Sequence, residues 1–444
     1  MLSASVLVVL AALSLQERID RTSAAGGGRV VVRGDNVVAG LELKSGVELH
    51  LEKDARILAA TNLEDYAEMQ KRAGQFASVF AMGATNVAIT GEGTIDGRGD
   101  CFDRLISRNP FKLRKGWHGV LFRNCRGVRV EDVTMRGSTA WTCFLMDCTD
   151  CTVRRLTIRS HASFNNDGLD IQASNVLVED CDIDSEDDAI VLKANHPKAK
   201  TEHVRVRRCR LSTNSNYLKI GTETAGRFRD IVIEDCDLVC RTPIRYRHPY
   251  LHVPGVKGIQ NAQYGIDIGL NDGGSVEGVV LRNIRMGDGV NTPIRVYHKS
   301  RSPNKTGEPS FIRNILLENV TMSCPATSYR SCYVYGKRDL PVEDVTFRNV
   351  ELLFRGGGTA EDAAKTYDDS DPLGSQQNIY PASVFYLRHA KNVRFENVRA
   401  RILGADARPP VVIDEDEGVV FEGCDFSVPD SCVSRDAIVR RPLR

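Results

Sequence analysis

Three things are scarce in this chain of 444 residues: an excess of either charge, a long apolar run, and helical periodicity. Lys and Arg number 59 against 58 Asp and Glu, a formal net charge of +1, which gives no support for nucleic acid or another polyanion as partner. After the N-terminus no uninterrupted apolar stretch is long enough to cross a bilayer. No regular helix pattern fills the gaps between apolar segments, so leucine-rich repeats and βα units fit poorly. Cys148 and Cys151 form a Cys-x-x-Cys, but no second pair follows at zinc spacing and no redox βαβ context surrounds it. Neither a metal nor a cofactor is expected.

What is present begins with Met1–Ser14, whose Val6–Leu13 run reads as the apolar part of a secretory signal. Ala12-Leu13-Ser14 supplies a small-x-small cleavage pattern, although no Lys or Arg precedes the run. The expectation is export, to the medium or a periplasm, with residues 15–444 as one mature domain.

One phrase then recurs: a turn, followed by V/I-x-V/I/L/F-x-x-V/C/I. Copies include GVRVEDV (Gly127–Val133), NVLVEDC (Asn175–Cys181), HVRVRRC (His203–Cys209), DIVIEDC (Asp230–Cys236), NILLENV (Asn314–Val320) and GVVFEGC (Gly418–Cys424). Neighbouring copies lie roughly 23–30 residues apart where no insertion intervenes, the range of solenoid coils. Each copy alternates apolar and polar residues, so each is a strand with one buried face. A second series falls between them: GLDI at Gly168, AIVL at Ala189, YLKI at Tyr217, GIDI at Gly265 and PIRV at Pro293. Stacking predicts Leu169, Ile190, Leu218, Ile266 and Ile294 as an inward column and Asp170, Val191, Lys219, Asp267 and Arg295 as an outward one. The fold class predicted is all-β, a single-stranded right-handed parallel β-helix. Gln16–Ala25 is expected to form a short helix capping the first coil. Loops are expected near 246–261 and 356–381, and at Gln70–Phe80 and Cys101–Lys115.

The repeat also accounts for cysteines. Cys181, Cys209, Cys236 and Cys424 occupy the slot held elsewhere by Val133, Ile284 and Val320. They are expected to be buried and unbridged, as small hydrophobes.

Acids cluster where two strands of the second series begin. Asp167 to Asp188 spans the same 21 positions as Leu169 to Ile190, which places the two aspartates in one column, one coil apart, with Asp187 beside them. Crowded carboxylates repel, so at least one should be pushed up toward the range a general acid needs. Turn formation explains one Asp; it explains a coil-registered group poorly. A Ca²⁺ site is the other reading of such density.

Asn165-Asn166-Asp167-Gly168, followed one coil later by Glu186-Asp187-Asp188, resembles glycoside hydrolase family 28, the polygalacturonase group. The upstream run Trp117–Trp141 resembles that family too. The resemblance implies a β-helix glycosidase that inverts configuration, with Asp187 as general acid and Asp167 and Asp188 as the pair that holds and activates water. Two departures stand out. The family's Gly-His-Gly falls on Ser215-Asn216-Tyr217, and its Arg-Ile-Lys falls on Asp267-Ile268-Gly269. The basic residues that grip a galacturonate are therefore absent, which predicts binding of unsubstituted polygalacturonan weakened at least roughly tenfold. YLKIGTET (Tyr217–Thr224) looks more like a divergent bacterial branch.

Asn165, Asp170, Lys193, Lys219, Glu223, Arg295 and Arg301 are the further candidates for substrate contact, since they lie on or beside the second strand series. Lys219 and Arg295 share the outward column and would replace the lost basic pair. His161 and His298 are weaker candidates, and Trp141 and Tyr217 are candidate sugar platforms. The function expected is hydrolysis of a pectic or other acidic polysaccharide or its oligosaccharides. A lyase on the same fold, using Ca²⁺ and Lys219 as base, and a non-catalytic carbohydrate-binding solenoid are the alternatives.

Overall fold

The computed structural model describes residues 13–73, 76–102, 117–162, 165–241, 264–287, 289–326, 330–367, 379–429 and 437–441. Its strands pair in parallel with partners one coil away, in three long ladders. The first ladder holds Phe76–Met82, Trp117–Arg123, the start of Cys143–Arg154, the start of Leu169–Glu179, Ile190–Ala194, Asn216–Thr224, Tyr264–Leu270 and Thr292–His298. The chain winds as a right-handed parallel β-helix, the hand that parallel crossovers nearly always take.

Alternation decides which side chains fill the tube. Leu169, Ile190, Leu218, Ile266 and Ile294 pair in register, and all five are buried in the core. Asp170, Val191, Lys219, Asp267 and Arg295 pair in register on the other side of the same strands. Both predicted columns are present. Truncating one of the interior isoleucines to alanine would cost about 2–5 kcal/mol, from lost burial and the cavity left.

The corners explain a repeat position that alternation does not. Asp132, Asp180, Asp235, Asn283, Asn319, Asn349 and Asn397 occupy one slot of the repeat and all have φ between 52° and 66°. Asn and Asp tolerate this left-handed conformation better than other residues with a Cβ. Their side chains also stack: Asn319 donates to Asn283 at 2.9 Å, Asn349 to Asn319 at 3.1 Å and Asn397 to Asn349 at 2.9 Å.

The capping helix runs Leu15–Ala24. Ser14 and Glu17 close a capping box at its start, and Ile19 is buried. Cys181, Cys209 and Cys236 are buried free thiols; Cys424 is a free thiol only partly buried, among the last coils. Cys148 and Cys151 are core residues.

The loop expected at Gln70–Phe80 is not one. Ala67–Ala73 is a helix and Phe76–Met82 is a strand paired with Leu41–Leu43 and Trp117–Arg123. The run FASVFAM alternates correctly for this ladder, with Val79 in the inward column beside Leu41 and Val120. Within 356–381, Ala360–Ala364 forms a short helix behind a Thr359–Asp362 capping box. The segments 1–12, 103–116, 246–261 and 368–378 lie outside the described residues, and with them most of the expected signal and parts of the other expected loops.

Candidate active site

The site is assembled by backbone stacking at the entry to the first ladder. The Thr142 N–H donates to Asp167 O at 2.8 Å, Gly168 to Asp188 O at 2.7 Å, and Ala189 to Asn216 O at 2.8 Å. Trp141, Asp167, Asp188 and Asn216 each stand two residues ahead of Cys143, Leu169, Ile190 and Leu218, which pair in register. Their side chains therefore form one column. A Cβ at Gly168 would lie 2.5 Å from Ala189 O, so no side chain fits between the two aspartates' turns.

Four carboxylates meet here in different electrical settings. Asp188 is buried, which pushes its carboxyl up, but Lys219 and Lys193 outweigh burial and its pKa lies below the usual value. Lys219 Nζ sits 2.7 Å from Oδ2, and Asn216 donates to Oδ1 at 2.5 Å. Asp167 is buried too, and burial together with repulsion from Asp170 raises its pKa well above the usual range despite Lys193. Asp170 is pushed up to about 8, again by burial first and against the pull of Lys193. Neighbouring carboxyls are thus pushed in opposite directions, Asp188 toward its ionised form and Asp167 toward its protonated one. The expectation that crowding raises at least one acid is met by Asp167 and Asp170.

Asp187 is the most exposed of the four, at 7%. Its Oδ1 accepts from the Asp188 N–H at 2.9 Å and its Oδ2 from Asn165 Nδ2 at 3.3 Å. Its carbonyl is held by Ser185 Oγ at 2.7 Å and Thr213 Oγ1 at 2.5 Å. Behind this turn His161 bridges Asp184 at 3.0 Å and Glu186 at 3.4 Å. Burial opposes its charge, but the two acids raise its pKa to about 9. His161 is therefore a cation clamped between acids, with no role as a neutral base at pH 7.

Lys193 is the hub of the basic groups. Its Nζ lies 3.4 Å from Asp167, 3.4 Å from Asp170 and 3.0 Å from Glu223, and 4.2 Å above the Trp141 ring. Glu223, pushed up by burial but pulled down further by Lys193, ends at about 2. Arg301 stands at the edge, 3.7 Å from Glu223 and bound to Asp272 through Nε at 2.8 Å and Nη2 at 2.5 Å.

The structure thus brings together Asn165, Asp167, Asp170, Asp187, Asp188, Lys193, Lys219 and Glu223, with Arg301 beside them. Arg295 does not join this group. Its Nη2 is 2.5 Å from Asp267, Nη1 donates to Tyr333 OH at 3.1 Å, and its guanidinium lies 3.3 Å from the Tyr264 ring centroid. Buried and paired, it is not the replacement grip that its register suggested. Tyr217 is a fully buried core residue rather than a sugar platform. His298 pairs in register with the core residue Leu270, and burial lowers its pKa to about 4. Trp141 remains partly exposed at the column's end, edge-on to Phe144 at 5.0 Å.

Sequence reasoning missed His118. It stands two residues before Val120, which pairs with Cys143, and so begins the column that continues through Trp141 to the aspartates. Its ring lies 5.4 Å from that of Trp141. The two-residue offset would have found it.

Residues 31–238, which contain all three candidate aspartates, match the model of Glycosyl hydrolases family 28. The chain is 23% identical over 292 residues to a "Probable polygalacturonase" of Vitis vinifera, covering 60% of this chain and 55% of that protein. It is 24% identical over 215 residues to an "Endo-polygalacturonase" of Pectobacterium carotovorum subsp. carotovorum, covering 44% and 53%. The chain thus spans about half the length of the curated relatives it matches. Among solved structures it resembles the exopolygalacturonase of Thermotoga maritima, with a TM-score of 0.63, 19% identity and 87% of each chain covered. It resembles equally the polygalacturonase of Erwinia carotovora ssp. carotovora, with a TM-score of 0.63, 19% identity and coverage of 85% and 92%. Through the segment that carries its aspartate cluster, the chain is similar to glycoside hydrolase family 28.

Proposed function

We propose that this chain is a glycoside hydrolase that cleaves a pectic or similar acidic polysaccharide, or its oligosaccharides, with inversion of configuration. The observation that carries the reading is the split among neighbouring carboxyls. Lys219 and Asn216 hold the Asp188 pKa below the usual value, while burial and repulsion from Asp170 raise that of Asp167 one coil away. Inverting hydrolysis needs a base for water and an acid for the leaving oxygen. Asp188 takes a proton from the attacking water. Asp187, matched to the family's acid, gives one to the glycosidic oxygen as the bond from the anomeric carbon to that oxygen breaks. The water oxygen bonds to the opposite face of that carbon. Asp167, in the same column as Asp188, helps fix the water. The relatives named as polygalacturonases support an acidic, pectic substrate.

The lyase alternative requires a neutral base. Burial pulls the Lys219 ammonium down, but Asp188 and Asp267 outweigh it and raise its pKa above the ordinary lysine value. A lysine so held keeps its proton, which argues against that chemistry. Export belongs to the same proposal: protein recovered outside the cell should begin at Leu15, and an intact Met1–Ser14 segment on that protein would refute it.

The test of the hydrolase reading is Asp187→Asn. An amide keeps the shape but cannot deliver a proton, so kcat on a natural glycoside should fall by roughly 10²–10⁴-fold. A substrate whose leaving group needs no protonation should suffer much less, whereas misfolding would hurt both alike. Near-normal turnover of the natural glycoside by this variant, with Asp167→Asn and Asp188→Asn inactive, would move the acid elsewhere.

A further inference from the structure

The outward column of the first ladder changes character along the solenoid. It is apolar in its early coils, where Phe80, Leu121 and Phe144 stand in register. It is largely charged from Asp170 to Arg295 and apolar again at Tyr333, Tyr386 and Val412. All six apolar residues are buried, none above 4% exposure. An apolar outer face needs a layer packed over it, and each end of the ladder has its own cover.

Upstream, the turn Leu63–Tyr66 and the helix Ala67–Ala73 lie on the sheet, and Tyr66 and Met69 join Phe80, Leu121 and Phe144 in one buried cluster. Tyr66 OH donates to Ala60 O at 3.0 Å, and Ala77 N–H to Met69 Sδ at 3.1 Å. Trp141, edge-on to Phe144 at 5.0 Å, ends this cover on the side of the aspartates. Downstream, Tyr380 stacks on Tyr386 at 4.9 Å and lies 4.8 Å from Tyr333, with Tyr367 5.2 Å from Tyr380. Arg408 Nη1 pins Tyr380 O at 3.2 Å, and Arg441 holds Lys365 O at 2.8 Å and Ala363 O at 2.9 Å. Tyr297 carries this cover up to the site. A Cβ at Gly269 would lie 2.4 Å from its ring, and Gly269 is on the strand that pairs with that of Lys219.

Between the covers Asn165, Lys219 and Glu223 are partly exposed. Asp170 and Lys219 are two coil steps apart, about 10 Å. A polysaccharide cut at an internal bond continues past that bond in both directions. Along this ladder, close-packed side chains stand where it would continue.

We propose that the site takes the end of a chain, so that the enzyme removes sugars from a terminus and does not cut within the polymer. Tyr66, Met69 and Trp141 form one stop, and Tyr297, Tyr367 and Tyr380 the other. The inference rests on the hydrolase reading for what happens to the bound end, but the binding mode is tested without turnover.

Calorimetry in the Asp187→Asn protein compares a galacturonate trimer with the same trimer carrying a bulky fluorophore at its reducing end and, separately, at its non-reducing end. At least one label should weaken binding by about tenfold or more, the scale of forcing extra volume into a packed site. Met69→Ala and Tyr367→Ala, each shown to be folded by a cooperative thermal transition, loosen one cover apiece. One of them should return much of the lost affinity. Equal tolerance of both labels, relief by neither variant, or no binding of the unlabelled trimer would overturn the proposal. With Asp187 intact, pectin should yield products of one small size from the first time point while viscosity hardly falls; a rapid fall with mixed sizes would overturn it too. Label-sensitive binding with no cleavage of any glycoside would sink the hydrolase reading and leave the chain-end site standing.

Discussion

Two columns run along the same coils of this solenoid, and they arrange charge in opposite ways. On the second ladder Glu131, Arg154, Glu179, Arg207, Glu234, Arg282, Glu318, Arg348 and Glu396 stack in register, with the sign alternating at every step. On the first ladder Asp167 and Asp188 stack with like sign, and Asp170 and Asp187 crowd the same place. The alternating column is partly exposed on its arginine side, and Arg154–Glu179, Arg282–Glu234 and Arg348–Glu396 are ordinary ion pairs within it. The other column is buried, so its charges are resolved by taking up or losing protons rather than by screening. A repeat fold offers both solutions with the same backbone. The choice of residue at one slot decides whether a coil contributes solubility or chemistry.

The largest effect expected on that contrast comes from removing the cation that keeps one stacked aspartate charged. Lys219→Met leaves Asp188 buried beside Asp167 with Lys193 as its remaining close cation. The folded-state pKa of Asp188 is lowered, so its ionised form is lost as pH falls through that value, and without Lys219 the loss comes at higher pH. The acidic limb of kcat/KM should move up by roughly 1–2 units, so that activity falls most below pH 5 and little at pH 7. An unmoved limb would show that Asp188 is not the base.

Much of this arrangement was legible beforehand, for definite reasons. The inward and outward columns followed from alternation, and the aspartate pair followed from a spacing equal to that of two core residues. The left-handed corners were visible in the recurring Asn or Asp before the last apolar residue, though alternation gives no reason to read them so. Partnership was not legible. Arg295 and Lys219 share a column, yet Asp267 lies between them and pairs with Arg295, which removes it from the cleft. That same pairing changes the expectation for polygalacturonan. A carboxylate directed at Asp267 meets a neutralised pair, so the penalty is a missing contact rather than open repulsion.

A second way to sharpen the contrast is to remove a carboxyl that burial holds neutral. Asp170 is raised from the ordinary aspartate range to about 8. Such a group favours the folded state fully below its unfolded pKa of about 4, and the contribution is lost as pH rises through 8. Asp170→Asn, which cannot ionise, should therefore match the parent in Tm near pH 4 and exceed it progressively up to pH 8. Activity should fall, since Lys193 loses one of its three acids. A Tm difference independent of pH would mean that Asp170 is already ionised and is offset by Lys193.

The smallest effect belongs to the alternating column. Arg282 lies between Glu234 and Glu318 in register, 2.5 Å from Glu234, and its side chain is 47% exposed. Exposed pairs of this kind are worth about 0–1 kcal/mol, because water screens the attraction and ordering two long side chains costs entropy. Arg282→Gln should therefore change unfolding free energy by no more than about 1 kcal/mol. Arg282→Glu is the sharper variant, since it stacks three acids and so imitates the sign pattern of the aspartate column at an open site. Solvent lets those acids stay apart and ionised, so the cost should remain modest and should shrink further in 0.5 M salt. A large, salt-insensitive loss would mean that like charges in a coil register are costly wherever they occur. Burial would then not be what separates the two columns, and the raised pKa values of Asp167 and Asp170 would need another cause.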